Sequence, residues 1–187
     1  MPDFLNREDA LLLVVDVQER LVPAIHQELY PRSLKNMKIM IESAGTLGVP
    51  ILLTEQYPKG LGTTLASIED GVRDAANLHR FDKLVFSTAG CAEFAAIAPA
   101  LGRDQWIVTG METHVCVYQT ARGLADRGYQ AHVVSDAVAS RTKANWQIGL
   151  QLAERSGAVL TSTEVCVFDL LGGAGSEDFK ALSKLIK

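Results

Sequence analysis

A helix that crosses a bilayer needs about 20 consecutive apolar residues, and no run in this sequence approaches that length. Basic clusters are missing as well. The 18 lysines and arginines are dispersed among 22 acidic residues, for a formal net charge of −4, which leaves no electrostatic footprint for nucleic acid or an anionic membrane. The first residues, Met-Pro-Asp-Phe-Leu-Asn-Arg-Glu-Asp, lack the basic start and apolar stretch of a secretory signal, and the expectation is a cytoplasmic protein. Cysteine is scarce. Cys91, Cys116 and Cys166 are odd in number and far apart, which argues against a disulfide framework and a Cys-x-x-Cys metal knuckle; they are read as free thiols, of which one at most need be reactive. Internal repeats, low-complexity stretches and linkers are also lacking, so 1–187 is read as one domain.

What is present is apolar and rhythmic. Hydrophobic residues make up 48% of the chain, enough for one large core at this length. Residues 10–16 form a continuous apolar run ending on Asp16, which suits a strand buried on both faces of a parallel sheet. Residues 31–47 carry Leu34, Met37, Ile41 and Ala44 at helical spacing, with Gly45 and Gly48 as stop signals. A second buried strand over 50–54 runs into 55–64, Glu-Gln-Tyr-Pro-Lys-Gly-Leu-Gly-Thr-Thr, a turn-rich loop. A mixed polar stretch leads to Arg80, and a third strand is expected over 81–86, with Lys83 near its start. The remainder alternates in the same way: helix 91–101, strand 104–109, a helix after the Gly110 turn closed by Gly128, strand 130–135, helix 143–156, strand 158–161, and helical segments 163–171 and 176–186. Apolar strands alternating with helices predict a three-layer α/β/α sandwich around a mostly parallel six-stranded sheet. Ligand crevices of such sheets lie at the C-terminal ends of the strands, which puts Asp16 and the Gly110 turn on the working edge. Lys83, at the beginning of its expected strand, does not follow.

Cys116 is the candidate nucleophile. It falls in the first turns of a helix entered from a strand through a glycine turn, where backbone N–H groups and the helix dipole converge. A thiol becomes a useful nucleophile when a cation or helix N-terminus stabilises its thiolate and a base can take the proton. Were Lys83 to approach the sulfur it would supply the charge. Asp16, held by that same lysine, would take the proton and return it to a leaving group. Periodicity does not establish that the three meet, and each has an ordinary structural reading: a packed thiol, a turn carboxylate and a solvated lysine.

Four segments, Leu12-Leu-Val-Val-Asp-Val-Gln18, Thr54-Glu-Gln-Tyr-Pro-Lys-Gly-Leu-Gly62, Lys83-Leu-Val-Phe-Ser87 and Gly110-Met-Glu-Thr-His-Val-Cys-Val117, resemble in order and spacing the isochorismatase-like cysteine hydrolases. The second and fourth look most like the isochorismatase-domain-containing subgroup. The resemblance runs from about Leu11 to the sixth strand and implies the isochorismatase-like fold with a catalytic triad on Asp16, Lys83 and Cys116. It implies further a non-proline cis peptide joining Met111 to Glu112, which aims the backbone N–H groups of Glu112 and Cys116 into an oxyanion hole. A small-molecule substrate and a homo-oligomer are implied too, with the apolar segment 165–171 as a candidate part of the interface. Gln18, Gln56 and His114 are candidates for lining the pocket, Gln18 also for bracing Asp16, and the Glu112 side chain is given no role.

Two departures shape the expected activity. Nicotinamidases of this superfamily hold a metal through an Asp-x-His pair after the second strand, where this sequence reads Glu55-Gln56-Tyr57 without histidine; no catalytic metal and no cofactor are expected. True isochorismatases tend to lack the cysteine, so Cys116 favours an amide or related C–N bond over a vinyl ether. The reading is a metal-independent cysteine hydrolase working through a covalent acyl-enzyme. Beside it stand a vinyl-ether or other C–O hydrolase, and a non-catalytic oligomeric interaction protein on the same fold.

Overall fold

A computed structural model of the protein describes residues 4–186; the first three residues of the polar N-terminal stretch and Lys187 lie outside the described residues. Strands β1 (Ala10–Val15), β2 (Ile51–Gln56), β3 (Leu78–Lys83), β4 (Gln105–Met111), β5 (Gln130–Ala139) and β6 (Val159–Thr161) form one sheet in the order β3-β2-β1-β4-β5-β6. Every pairing between these strands is parallel. Between and after them come α1 (Leu29–Leu47), the single turn α2 (Pro58–Leu61), α3 (Ala66–Val72), α4 (Ala92–Leu101), α5 (Tyr118–Ala125), α6 (Lys143–Arg155), α7 (Thr163–Leu171) and α8 (Glu177–Ile186).

The three layers follow from side-chain alternation. Successive residues of a strand point to opposite faces, so Leu12 and Val14 join Met37, Met40 and Ile41 of α1 and Val167 and Leu170 of α7. Leu11, Leu13 and Val15 join Phe94 of α4, Leu124 of α5 and Leu150 of α6 on the other side. Both faces of β1 are therefore dry, and only a strand apolar at every position satisfies that. Helix α1 runs through Gly45 and stops at Gly48, whose left-handed φ of 70° turns its N–H back onto the carbonyls of Ala44 and Gly45.

The sheet's edge departs from expectation. Strand β3 covers Leu78–Lys83, and the apolar Leu84, Val85 and Phe86, read from sequence as strand, form an exposed loop. An edge strand pairs on one side only and keeps much of its surface wet, so it carries no apolar run; Arg80 and Asp82 are exposed. The shift moves Lys83 from the start of its strand to the last position, level with Gln56 at the end of β2. Strand β2 likewise reaches Gln56, taking Glu55 and Gln56 out of the expected loop. From β1 the chain winds outward to β2 and β3, then crosses back to β4 on the other side of β1. Such a reversal opens a crevice at the C-terminal ends of the two strands that flank it, here β1 and β4.

Candidate active site

Asp16 is the first residue after β1, fully buried, at a left-handed φ of 51°, a conformation that aspartate and asparagine adopt more readily than other non-glycine residues. Its carboxylate accepts from Thr54 Oγ1 at 2.8 Å and from Lys83 Nζ at 2.6 Å. Lys83 arrives from β3, two strands away. With neighbouring strands about 4.8 Å apart, a side chain from β3 must cross the end of β2 to touch Asp16, and the long lysine stem does so. Its ammonium also donates to Gln56 Oε1 at 2.8 Å and to the Phe86 carbonyl at 3.0 Å. Both charged side chains are 0% exposed; a buried pair is tolerated when its remaining hydrogen-bonding capacity is also met, as here.

Cys116 comes to the same place from β4. Gly110, at φ 117°, brings β4 against Val15 so closely that a Cβ there would overlap the Val15 carbonyl. The Met111–Glu112 peptide is cis. Next comes a single π-helical turn, Thr113–Val117, and only then α5, so the helix expected after Gly110 is split and Cys116 lies in its irregular first turn. The Glu112 carbonyl accepts from the N–H groups of Val115 and Val117, passing over the Cys116 amide. Gly149 of α6 presses on this turn, where a Cβ would stand 2.7 Å from the Thr113 carbonyl and the His114 nitrogen. Gly149→Ala is therefore expected to push the Cys116 turn off its seat. It should cost about 1–3 kcal/mol of stability and lower turnover on the order of tenfold to a hundredfold; unchanged kcat in the folded variant would show that the turn does not depend on this contact.

The structure brings Asp16, Lys83 and Cys116 together. Asp16 and Lys83 are in direct contact, and Cys116 lies close enough for both charges to act on its thiol. Burial pushes the thiol well up, Asp16 adds to the rise, and Lys83 opposes it. Asp16 is itself raised, chiefly by burial and against the pull of Lys83. Burial and the neighbouring carboxylate thus favour the thiol form over the preformed thiolate that a lysine neighbour alone would suggest.

Other expected site residues are placed differently. Gln18 is fully buried and does not bond the Asp16 side chain: its amide bridges the Gln56 backbone and the Gly62 carbonyl, so it neither braces that carboxylate nor lines a pocket. Gln56 is spent on Lys83 and on the Leu84 carbonyl. His114 is half-buried with Nδ1 3.1 Å from Ser140 Oγ, and burial lowers its pKa despite Glu112. The Glu112 carboxylate, given no role from sequence, takes three bonds from Arg141, at 3.1 Å from its backbone N–H and at 2.9 and 2.5 Å from its guanidinium. Burial pushes Glu112 up, but Arg141 outweighs it and holds the group below the usual carboxylate range. Thr54 and Arg141 were missed. A polar Thr54 within an apolar strand is a usable signal; Arg141 had none. Beside Lys83 a cleft of about 550 Å³ is lined by Tyr57, Lys59, Leu84, Val85 and Cys91 among others. Cys91 and Cys166 are buried free thiols, and burial pushes Cys166 up to about 12.

The isochorismatase domain family matches residues 10–165. The secreted isochorismatase effector Isc1 of Phytophthora sojae is 39% identical over 179 residues, covering 95% of this chain and 84% of that protein. Isochorismatase domain-containing protein 2 of Bos taurus is 35% identical over 179 residues, covering 95% and 83%. Among solved structures, one described as the MAR1 ribonuclease of Caenorhabditis elegans superposes with a TM-score of 0.90 at 35% identity, covering 98% of this chain and 92% of its own. The YcaC gene product of Escherichia coli, described as an octameric hydrolase of unknown specificity, shares the fold at a TM-score of 0.88 and 23% identity, covering 100% and 91%.

Proposed function

Because this chain belongs to the isochorismatase domain family, which supports a hydrolase, we propose that it opens a small amide or related C–N bond through an acyl-enzyme on Cys116, without a catalytic metal. The observation that carries the reading is the buried Lys83–Asp16 pair, 2.6 Å apart, with the Cys116 thiol close enough to feel both charges. As Sγ bonds to the carbonyl carbon, the thiol proton passes to Asp16, and the oxyanion is held by the backbone N–H groups of Glu112 and Cys116. Asp16 hands the proton to the amine nitrogen as the C–N bond breaks, leaving a thioester. Water, deprotonated by Asp16, then releases the acid and restores the thiol. Metal independence is supported by the end of β2, where Gln56 and Tyr57 stand in place of metal-ligating residues and the Gln56 oxygen is already taken by Lys83.

Pools of small amides mixed with the protein test the proposal. Intact-mass spectrometry should show an acyl increment mapping to Cys116. Absence of any adduct, and of released ammonia or amine across a broad pool, would sink it.

A second reading is vinyl-ether hydrolysis, favoured by the name of the P. sojae relative; Asp16 would then act as the acid and Cys116 would have no covalent part. A ribonuclease reading, from the description of the nematode structure, is not adopted: a polyanionic substrate asks for clustered cations, and those of this chain are dispersed. Nor is a non-catalytic scaffold, which has no physical need of a thiol set against a buried ion pair.

A homo-oligomer is part of the proposal. Within 165–171, Cys166, Val167 and Leu170 are spent on the core, while Val165 and Phe168 remain 50% and 42% exposed and are offered to a second copy. Sedimentation is expected to show an assembly; a strict monomer at micromolar concentration would remove this element. The expected cytoplasmic placement is not carried over, since the P. sojae relative is named as secreted. Among the described residues no helix is long and apolar enough to cross a membrane.

A further inference from the structure

The geometry points to Gln56 as the residue that positions Lys83, an inference that deepens the reading of the same site. Gln56 ends β2 level with Lys83, on the strand that separates Lys83 from Asp16. Its amide can face only one way. Nε2 donates to the Leu84 carbonyl at 2.8 Å, which turns Oε1 toward Lys83 Nζ, also at 2.8 Å. An ammonium has three protons and no acceptor, and four acceptors surround this one: Asp16 Oδ2 at 2.6 Å, Gln56 Oε1 at 2.8 Å and the Phe86 carbonyl at 3.0 Å, with the Val85 carbonyl further off at 3.5 Å. The chain itself consumes all three protons, so Lys83 has none to offer a substrate. It acts as a fixed charge that keeps Asp16 in place beside the thiol.

Gln18 secures the clamp from behind. Its Oε1 accepts the Gln56 backbone N–H at 2.8 Å, and its Nε2 donates to the Gln56 carbonyl at 3.1 Å and the Gly62 carbonyl at 2.7 Å. The end of β2 is thereby tied to the loop beyond it. An apolar side chain at 56 would remove the 2.8 Å acceptor, leave the third ammonium proton only the Val85 carbonyl at 3.5 Å, and free the ammonium to swing from Asp16. Gln56 is therefore a positioning residue, not a wall of the substrate pocket.

The ammonium of a lysine that is buried and hydrogen-bonded on all sides exchanges its protons with water slowly, so ¹⁵N-lysine labelling should give a Lys83 ammonium signal at neutral pH, assigned by its loss in Lys83→Arg. In Gln56→Leu the exchange is expected to rise by about tenfold or more, or the signal to vanish. Gln56→Glu, which loses the donor to Leu84 but offers Lys83 a charged acceptor oxygen, should recover slower exchange than Gln56→Leu at a shifted position, and a general packing defect would not be rescued that way. Should Gln56→Leu fail to fold, Gln56→Asn, one methylene too short to reach, is expected to show the same acceleration. On any amide that acylates Cys116, Gln56→Leu should lower kcat and leave KM near the parent value. A Lys83 signal indifferent to both Gln56→Leu and Gln56→Asn, or absent from the parent protein, overturns the inference. The two readings fail separately: a responsive Lys83 with no amide turned over leaves the clamp and removes the hydrolase, whereas an indifferent Lys83 with amide turnover does the reverse.

Discussion

Cys116→Ala is expected to lose amide turnover by about a thousandfold or more while the protein stays folded. The nucleophile contributes a bond that no neighbouring group replaces: Asp16 holds a proton, and Lys83 has its three protons engaged. The structural cost is modest, because only one sulfur atom is removed from a residue outside the sheet. Cys116→Ser should be as inactive, since a hydroxyl gives up its proton to Asp16 less readily than a thiol does. The same variant separates the two enzymatic readings. Vinyl-ether cleavage needs an acid and no sulfur nucleophile, so isochorismate hydrolysis surviving in Cys116→Ala would assign the work to Asp16 and end the acyl-enzyme scheme.

Asp16→Asn should damage stability as well as turnover. Asparagine accepts the left-handed backbone at this position as readily as aspartate, so the change is close to a pure deletion of charge. Lys83 would be left buried at 0% exposure without its counter-ion, and breaking one side of such a pair costs about 3–5 kcal/mol. Lys83→Met should be milder. It keeps an apolar stem and leaves behind a carboxyl that burial already pushes toward its neutral form, so Asp16 can simply take a proton. The double variant should recover much of what Asp16→Asn loses, because neither charge then remains uncompensated. Urea unfolding of the two single variants and the double closes this cycle. Additive losses would mean that the pair does not act as a unit in the folded protein, and both the proposed proton relay and the Gln56 clamp would lose their foundation.

How much of this was legible before folding depended on what each residue faces. Strands β1, β2 and β4 could be read from their apolar runs because a strand covered on both sides has no polar position to spare. Strand β3 could not: at the edge it alternates with solvent, and the more apolar Leu84-Val85-Phe86 attracted the strand assignment. That one misplacement is also why Lys83 did not fit the working edge of the sheet. The residues proposed for the site's centre were singled out through a family resemblance, each being unremarkable alone, and the hydrogen bonds of their neighbours could not be read from it. Gln18 was a candidate for bracing Asp16, and its amide holds Gln56; Gln56 was a candidate for the pocket, and its oxygen holds Lys83.

The amino-acid order by itself determined the layered parallel fold, since the burial of each strand is written into its own side chains. It also determined that Asp16 and the Gly110 turn lie on one edge, since chain direction is shared by all parallel strands. Only the tertiary structure decided which hydrogen bonds Lys83, Gln56, Gln18 and Glu112 make, and that burial pushes the Cys116 thiol up. Those outcomes depend on register between strands distant in sequence, and on how much water their meeting shuts out, neither of which is carried by any single segment.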